Sequence, residues 1–121
     1  MTKINSYKEL TVWQKSYTLT RKIYTITEHF PKKEDYSLTS QMRRCSLSIP
    51  SNIAEGYRRA HRKEFLQFLQ IAFGSASELE VQLLLSKDIA YISEDQYDDC
   101  NGLLTEVLKM LNAMLIKMKS V

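Results

Sequence analysis

The chain is poor in glycine and proline, with three Gly and two Pro among its 121 residues. All-β sandwiches and barrels need many turns and use more of both residue types, so neither fold is expected. No Gly cluster follows an apolar run, although the phosphate-binding turns of Rossmann and P-loop folds require one. These absences favour a helical protein without a nucleotide-binding loop.

Long apolar runs and paired cysteines are also missing. No stretch reaches the roughly 18 apolar residues that span a bilayer, and residues 1–5 (MTKIN) lack the apolar segment of a secretory signal. We therefore expect a cytoplasmic protein with no membrane partner. Cys45 and Cys100 have no CxxC spacing, so in a reducing compartment both are expected to be small core residues. A disulfide or a reactive thiol is the alternative.

The common motifs of catalysis and metal binding do not occur. The two histidines, His29 and His61, are far apart in the sequence, and there is neither an HExxH nor a GxSxG motif. No ExxH repeats on two helices, as a di-iron bundle requires. We therefore expect no enzyme activity, no metal and no cofactor.

Four segments carry apolar residues at helical spacing. The first covers residues 11–30 and has an additional aromatic row formed by Trp13, Tyr17 and Tyr24. Pro31 ends this segment, because the residue before a proline is disfavoured in the helical region. Exposed aromatic rows are typical of interfaces, so this row predicts self-association.

The second segment covers residues 37–59, and Ser37 is its predicted N-cap. Pro50 lies in the middle of this segment. Proline lacks the backbone donor and crowds the carbonyl four residues earlier, which here belongs to Ser46. A kink or a break at Pro50 is therefore expected.

The third and fourth segments cover residues 63–88 and 93–119. The third is the most apolar, and with Leu84 and Leu85 widening its stripe it is expected to be the most buried helix. Gly74 would let a neighbouring helix, from this chain or another, approach closely. The fourth begins with a capping-box pattern at Ser93 and repeats apolar residues every seven positions.

The three connections, residues 31–36, 60–62 and 89–92, are short. Short links between long helices force neighbours to run antiparallel. The sequence therefore predicts an all-α fold, an up-down-up-down antiparallel four-helix bundle with helix two kinked at Pro50. Residues 1–121 are expected to form one domain, since this length leaves no room for two ordinary ones.

The charge is distributed unevenly along the sequence. Residues 1–63 carry thirteen Lys/Arg and five Asp/Glu, whereas residues 64–121 carry four and nine. Clustered cations are typical of surfaces that bind phosphate backbones. The candidate nucleic-acid contacts are Arg43, Arg58, Arg59, Arg62 and Lys63, with Lys22, Lys32 and Lys33 at the rim. The alternative is a solvated loop whose cations pair with the acidic half.

The helix dipole separates these candidates into two groups. Cations are favoured at a helix C-terminus, which gives Arg58 and Arg59 a structural reason to be present. Arg62 and Lys63 lie near the start of helix three, where the dipole opposes positive charge. This mismatch indicates a use for their charge, most simply phosphate binding.

A second set of polar residues falls near predicted apolar faces. Buried carboxylates need partners, and the arginine fork is the usual one. We therefore expect Arg44 to pair with Glu55 or Glu78 in a buried interhelical network. The members of this candidate buried polar network are Gln41, Arg44, Asn52, Glu55 and Glu78.

Several strings resemble a known family: LTVWQKSY at residues 10–17, HFPKKEDYSLTSQMRRCSLSIPSNIAEGYRR at 29–59, EFLQFLQIAFGSASELEVQL at 64–83 and AYI at 90–92. The chain resembles the bacterial four-helix-bundle proteins encoded in intervening sequences of large-subunit ribosomal RNA genes, some of which are labelled as ribosomal proteins. Two departures are His61 with its neighbours, where the family often has a Ser, and Phe73, where it often has an Arg.

The resemblance implies a homopentamer with a central channel and a role in binding structured RNA or DNA. It also implies kinship in fold with an accessory protein of diversity-generating retroelements, which partners a reverse transcriptase through a basic surface. Two functions follow as expectations. The first is a non-enzymatic, oligomeric protein that binds RNA or DNA through its basic surface. The alternative is a scaffold that docks another protein.

Overall fold

The computed structural model describes residues 6–59 and 61–120. Four helices account for most of this length. They are α1 (Thr11–Thr27), α2 (Leu38–Arg58), α3 (Arg62–Asp88) and α4 (Glu94–Lys119). Short 3-10 turns lie before α1, at Tyr7–Glu9, and before α2, at Lys32–Glu34. α1 packs against α2 and α4, and α3 also packs against α2 and α4, so the four helices close into a bundle.

Two ion pairs show the direction in which α1 and α4 run. Lys15 Nζ lies 2.8 Å from Glu106 Oε2, and Lys22 Nζ lies 2.9 Å from Asp99 Oδ2. Moving forward along α1 from Lys15 to Lys22 moves the partner backward along α4 from Glu106 to Asp99. The helices are therefore antiparallel, and the all-α four-helix architecture expected from the sequence is confirmed.

The predicted apolar seams form the core. In α3 the buried seam contains Leu69, Ala72, Ala76, Leu79 and Leu83, and in α4 it contains Cys100, Leu104, Val107 and Leu111. The expectation that α3 is the most buried helix is wrong, because six of its 27 residues are buried, against eight of the 21 residues of α2. Leu84 and Leu85 of α3 are 44% and 47% exposed. They lie beyond the edge of the stripe that faces α2 and α4. In the described residues, no helix has the length and apolar character needed to cross a bilayer.

The helix ends agree with the sequence in part. α1 ends at Thr27 rather than at residue 30, with Phe30 N–H bonded to the Thr27 carbonyl in a tighter turn before Pro31. Ser93 starts α4 with the complete capping box, because its side chain accepts from Gln96 N–H while the Gln96 side chain accepts from Ser93 N–H. Ser37 occupies the predicted N-cap position of α2, but its side chain forms no capping hydrogen bond and donates to Glu34 instead.

Pro50 does not break α2, which continues through it from Leu38 to Arg58. Pro50 leaves the carbonyl of Ser46 without its usual helical donor. The Thr20 hydroxyl of α1 lies 2.8 Å from this carbonyl oxygen and 3.0 Å from that of Ser16. A buried hydroxyl from the neighbouring helix thus takes the place of the missing backbone donor. Of the two predicted outcomes, a kink or a break, the break does not occur.

Gly56 lies where α3 packs closely against α2. A Cβ built at Gly56 would lie 2.8 Å from Phe68 Cβ and 2.9 Å from Phe65 Cδ1, whereas one at Gly74 would meet nothing within 4 Å. The residue that admits a neighbouring helix of the same chain is therefore Gly56, which the sequence did not single out. No described helix of the same chain packs closely against Gly74, so of the two predicted neighbours only a helix of a second chain remains.

The loops at one end of the bundle are joined by a carboxylate. Ser37 Oγ donates to Glu34 Oε1 over 2.6 Å, and Tyr91 Oη donates to Glu34 Oε2 over 2.7 Å. The hydrogen bond from Ser37, followed by the one from Tyr91, lowers the pKa of Glu34, and the same carboxylate raises the pKa of Tyr91. The α1–α2 connection is thereby tied to the α3–α4 connection.

We predict that Gly56→Ala destabilises the protein although alanine is the better helix former. The Cβ would collide with Phe68 Cβ, which is fixed by the α3 backbone, and overpacking of this kind costs about 1–3 kcal/mol. Gly102→Ala is the matched control, because its Cβ meets nothing and it should stabilise α4 by about 0.5–1 kcal/mol. Urea denaturation measures both changes. A stabilised Gly56→Ala variant would contradict the close packing.

Glu34 gives a pH dependence of defined sign. Because its pKa is lower in the folded protein than the ordinary 4.5, its stabilising contribution is present above that value and is lost as the pH falls below it. Glu34→Gln should therefore lower the melting temperature at neutral pH, with a difference that shrinks at about pH 3. The control is Glu28→Gln, an exposed carboxylate after α1. A difference independent of pH would show that the carboxylate charge is not responsible.

Candidate nucleic-acid interface

One end of the bundle gathers basic residues from three helices and the first 3-10 turn; we refer to it as the basic end. Arg62 of α3 contacts the C-terminus of α4, and Arg59, the residue that follows α2, contacts Glu64 of α3. Arg58 of α2 lies over the ring of Tyr7 in the first 3-10 turn. The cations of this end are Lys8, Arg58, Arg59, Arg62, Lys63, Lys117 and Lys119. The antiparallel fold thus joins two basic segments that are far apart in sequence.

Arg58 and Arg59 are exposed, and each already contacts protein groups. The guanidinium of Arg58 lies 5.4 Å from the centre of the Tyr7 ring. Arg59 Nε lies 3.2 Å from Glu55 Oε2, Arg59 Nη1 lies 3.8 Å from Glu64 Oε2, and its guanidinium lies over Phe68. Two carboxylates neutralise part of the charge of Arg59. Arg58 is the less compensated of the two arginines.

Arg62 has a structural role that the sequence did not predict. Its Nη2 donates to the carbonyl of Met118 over 2.8 Å and more weakly to that of Lys117 over 3.4 Å. These carbonyls lie at the C-terminus of α4, where backbone acceptors lack helical donors and the dipole is negative. The inference that Arg62 has no structural reason to be present is therefore wrong. The dipole of α3 disfavours the positive charge of Arg62, and the hydrogen bonds to the C-terminus of α4 offset this cost.

Lys63, Lys117 and Lys119 are exposed and have no ion pair or side-chain hydrogen bond with any described residue. Lys117 and Lys119 were not among the predicted contacts. They could have been predicted from the antiparallel order of the helices, because this order places the end of helix four beside the start of helix three. Lys63 remains opposed by the dipole of α3, and no described contact compensates for it.

The other candidate contacts lie away from the basic end. Arg43 is half-buried, and its Nε donates to Thr27 Oγ1 over 2.9 Å while its guanidinium lies over the Tyr24 ring. Lys22 pairs with Asp99, and the hydrogen bond to this carboxylate raises the pKa of Lys22. Lys32 and Lys33 form the second 3-10 turn, at the opposite end of the bundle. The structure does not bring these four together with Arg58, Arg59, Arg62 and Lys63.

The prediction of a buried polar network is wrong, since none of its five residues is fully buried. Gln41, Arg44, Glu55 and Glu78 are all exposed, and Asn52 is half-buried. Their helical positions fall beside the core stripe rather than within it, so water solvates the charges and no buried ion pair is required.

The network residues make local contacts instead. Arg44 donates to Gln41 on the same helix, and Glu55 pairs with Arg59 one turn later. Asn52 Nδ2 donates to the carbonyl of Ser48 over 2.7 Å. Only Glu78 contacts another helix, and its partner is Cys45 rather than Arg44. Arg44 therefore joins the exposed cations.

Both cysteines are buried and free, as the sequence predicted. Cys45 Sγ donates to Glu78 Oε2 over 2.6 Å, and burial followed by this hydrogen bond raises the pKa of Cys45 to about 11. Burial also raises the pKa of Cys100 to about 11, with a smaller contribution from the charge of Asp99. Both thiols thus stay protonated near neutral pH, which disfavours the reactive-thiol alternative.

The end opposite the basic end is acidic. The first turns of α4 contain Glu94, Asp95, Asp98 and Asp99, of which Asp99 pairs with Lys22. In residues 6–59 and 61–120, no group of three or more His, Cys, Asp or Glu side chains is arranged to hold a metal ion. The two ends thus differ in charge, but they do not correspond to the two halves of the sequence. Lys117 and Lys119 of the acidic half lie at the basic end, and Lys32 and Lys33 of the basic half lie at the opposite end.

Comparison with known proteins agrees with this architecture. Residues 8–113 match the family described as 23S rRNA-intervening sequence protein. Among solved structures, a protein of unknown function from the S23 ribosomal protein family of Bacteroides thetaiotaomicron VPI-5482 superposes with a TM-score of 0.81 at 28% identity. The match covers 87% of this chain and 98% of that one. No curated protein matches. The family match over most of the chain, on four packed helices, places this protein in the 23S rRNA-intervening sequence protein family.

Proposed function

We propose that the protein is a non-enzymatic, oligomeric binder of structured RNA or DNA, and that the basic end contacts the phosphate backbone. The observation that carries this proposal is a set of exposed lysines, Lys63, Lys117 and Lys119, that form no ion pair within residues 6–59 and 61–120. They lie beside Arg58, Arg59 and Arg62. When a cation binds a phosphate, counterions are released from the nucleic acid, and this release favours binding. A cation that has no ion pair within the protein gains this contribution without the cost of breaking such a pair. The family name refers to 23S rRNA, so RNA is the first nucleic acid to test.

The opposite charges of the two ends define an orientation for binding. The acidic start of α4 repels a phosphate backbone, whereas the basic end attracts it, so the bundle approaches a nucleic acid end-on. Contacts to phosphates position a protein but carry no sequence information. The basic end by itself therefore supports recognition of backbone shape and charge rather than of sequence.

Oligomerisation is proposed to occur through the outer face of α3. Ile71, Val81, Leu84 and Leu85 are 51%, 67%, 44% and 47% exposed, which gives α3 more exposed large apolar side chains than any other described helix. Gly74 lies on the same exposed face and leaves room for a second chain. Exposed apolar patches of this kind are typical of protein interfaces.

In the proposed pentamer, five chains of net charge +3 carry +15 in total. Because each chain repeats the same weak site, the pentamer has a higher apparent affinity for a nucleic acid than one chain has.

A protein scaffold is the second candidate function. The specific observation that favours it is the acidic start of α4, where Glu94, Asp95 and Asp98 have no ion pair with any described residue. A partner with a basic surface fits this end. Capture of such a partner free of nucleic acid would favour the scaffold over the nucleic-acid binder.

For nucleic-acid binding, we predict that the double variant Lys63→Ser/Lys117→Ser weakens binding to a structured RNA. The slope of log affinity against log salt should fall by roughly one unit for each lost phosphate contact. Lys15→Ser/Lys22→Ser is the matched control, because it removes the same charge from lysines that are paired with Glu106 and Asp99. Titrations at several salt concentrations compare the three proteins. Equal losses in both double variants would show that total charge, not the basic end, determines affinity.

For self-association, we predict that wild type scatters light as an oligomer at micromolar concentration and that Val81→Lys dissociates it to the 14.1 kDa chain. A lysine at this 67% exposed position places a charge in the apolar contact but disturbs no core residue. Ile116→Lys is the matched control on α4, at a position 61% exposed. A monomeric wild type, or dissociation by Ile116→Lys alone, would contradict the assignment of the interface to α3.

A further inference from the structure

An aromatic groove lies between α1 and α2, next to the basic end. It has a volume of about 210 Å³ and is lined by Tyr7, Trp13, Tyr17, Leu47, Pro50, Ser51 and Ala54. A second depression of about 390 Å³ is lined by Ser6, Tyr7, Tyr57 and Arg58. Tyr7 lines both, so the two are adjacent. We call the first the aromatic groove.

The aromatic rings of the groove form a continuous series that leads to an arginine. The Trp13 and Tyr17 rings are stacked, with centroids 5.0 Å apart and an interplanar angle of 10°. Tyr7 packs edge-on against Trp13, with ring centroids 5.1 Å apart. The guanidinium of Arg58 lies over the Tyr7 ring, so the series runs from Tyr17 through Trp13 and Tyr7 to Arg58. Tyr17 is 45% exposed, so ring surface remains accessible to solvent.

This combination of groups matches the chemistry of single-stranded nucleic acids. Sites for single strands combine aromatic side chains, on which bases stack, with cations that contact the backbone. The groove lining contains no acidic residue, and the neighbouring Arg58 supplies positive charge. A phosphate next to a stacked base would meet Arg58.

The size of the groove also favours a base over a second protein chain. Pockets for drug-sized ligands have volumes of about 300–1,000 Å³, so the 210 Å³ of this groove suits a single planar ring system. A docked helix needs anchors at several successive turns. The four exposed large apolar side chains of α3, Ile71, Val81, Leu84 and Leu85, are better suited to self-association.

We propose that the aromatic groove holds an unpaired nucleobase, so that the protein recognises single-stranded nucleotides beside the backbone bound by the basic end. This inference rests on the proposed nucleic-acid binding and adds the class of nucleotide to it. The exposed ring of Tyr17, itself stacked on Trp13, provides the stacking surface, and Arg58 contacts the adjacent phosphate. The bound base is read by stacking, which every base offers, so little base preference is expected.

Trp13 is the only tryptophan of the chain, so its fluorescence reports directly on the groove. The probes are a single-stranded oligouridylate of about ten nucleotides and a blunt RNA duplex of equal length. We expect the single strand to quench Trp13 emission and the duplex to bind with much less quenching. This measurement uses the wild-type protein and does not depend on the folding of a variant.

Tyr17→Leu tests the stacking contribution. It should weaken binding of the single strand about fivefold or more, the size expected for loss of a stacked base, while affinity for the duplex stays unchanged. Tyr24→Leu is the matched control, since Tyr24 lies on the same helix, is 40% exposed and is covered by Arg43. It should leave both affinities unchanged.

The possible failures are distinguishable. Binding of the duplex without any response of Trp13 to the single strand would overturn the groove proposal and leave the proposed function intact. Absence of binding by both probes would overturn both. A change in oligomer mass on Tyr17→Leu would assign the groove to contact between copies of the chain, and this too would overturn the proposal.

Discussion

The short connections between long helices are the constraint from which the rest of the structure follows. Each helix must turn back on its predecessor, so the ends of α2 and α4 lie beside the start of α3. Burial of the apolar seams then fixes the rotation of each helix about its axis. Because several cations lie where α2 ends, α3 begins and α4 ends, this packing order gathers them at one end of the bundle, opposite the acidic start of α4.

The basic end illustrates how neighbouring helices offset each other's electrostatic costs. A cation at the start of a helix is opposed by that helix's dipole, but the end of an antiparallel neighbour offers carbonyl acceptors at the same level. Arg62 is long enough to reach the last carbonyls of α4, whereas no group in the part of the chain that the structure describes makes a comparable contact with Lys63. The two adjacent cations therefore have different roles. Arg62 stabilises the contact between α3 and α4, whereas Lys63 is available to solvent or a ligand.

The sequence predicted those features that depend on local periodicity and local capping. The four helices, the apolar seams of α3 and α4 and the capping box at Ser93 all follow from residues a few positions apart. The failures concern residues whose partners are distant. The acceptors of Arg62 lie 55 and 56 positions away, and the hydroxyl of Thr20 that reaches the Ser46 carbonyl lies 26 positions away. No spacing rule within one segment contains that information.

Burial at the edge of a helical stripe was the second source of error. Residues beside the core stripe have angular positions that suit either the core or solvent, and only the path of the neighbouring helix decides between them. Leu84 and Leu85 lie on the solvent side of that boundary, as does Arg44, although periodicity placed all three near the core. The candidate site was therefore predicted only in part. Its location near residues 58–63 was identified, but Lys117, Lys119 and the aromatic groove require the fold.

The position of the apolar face of α3 connects self-association to charge. α3 begins at the basic end and carries Ile71, Val81 and Leu85 along its outer side. In a closed ring whose axis runs along the bundles, every copy points the same way, so all basic ends lie on one face of the ring. A two-fold dimer with antiparallel α3 helices would place its two basic ends at opposite extremes. Of these two arrangements, the proposed ring is the one that would present the lysines and the neighbouring aromatic grooves to one nucleic acid at once. That is the condition under which weak single sites combine into strong binding.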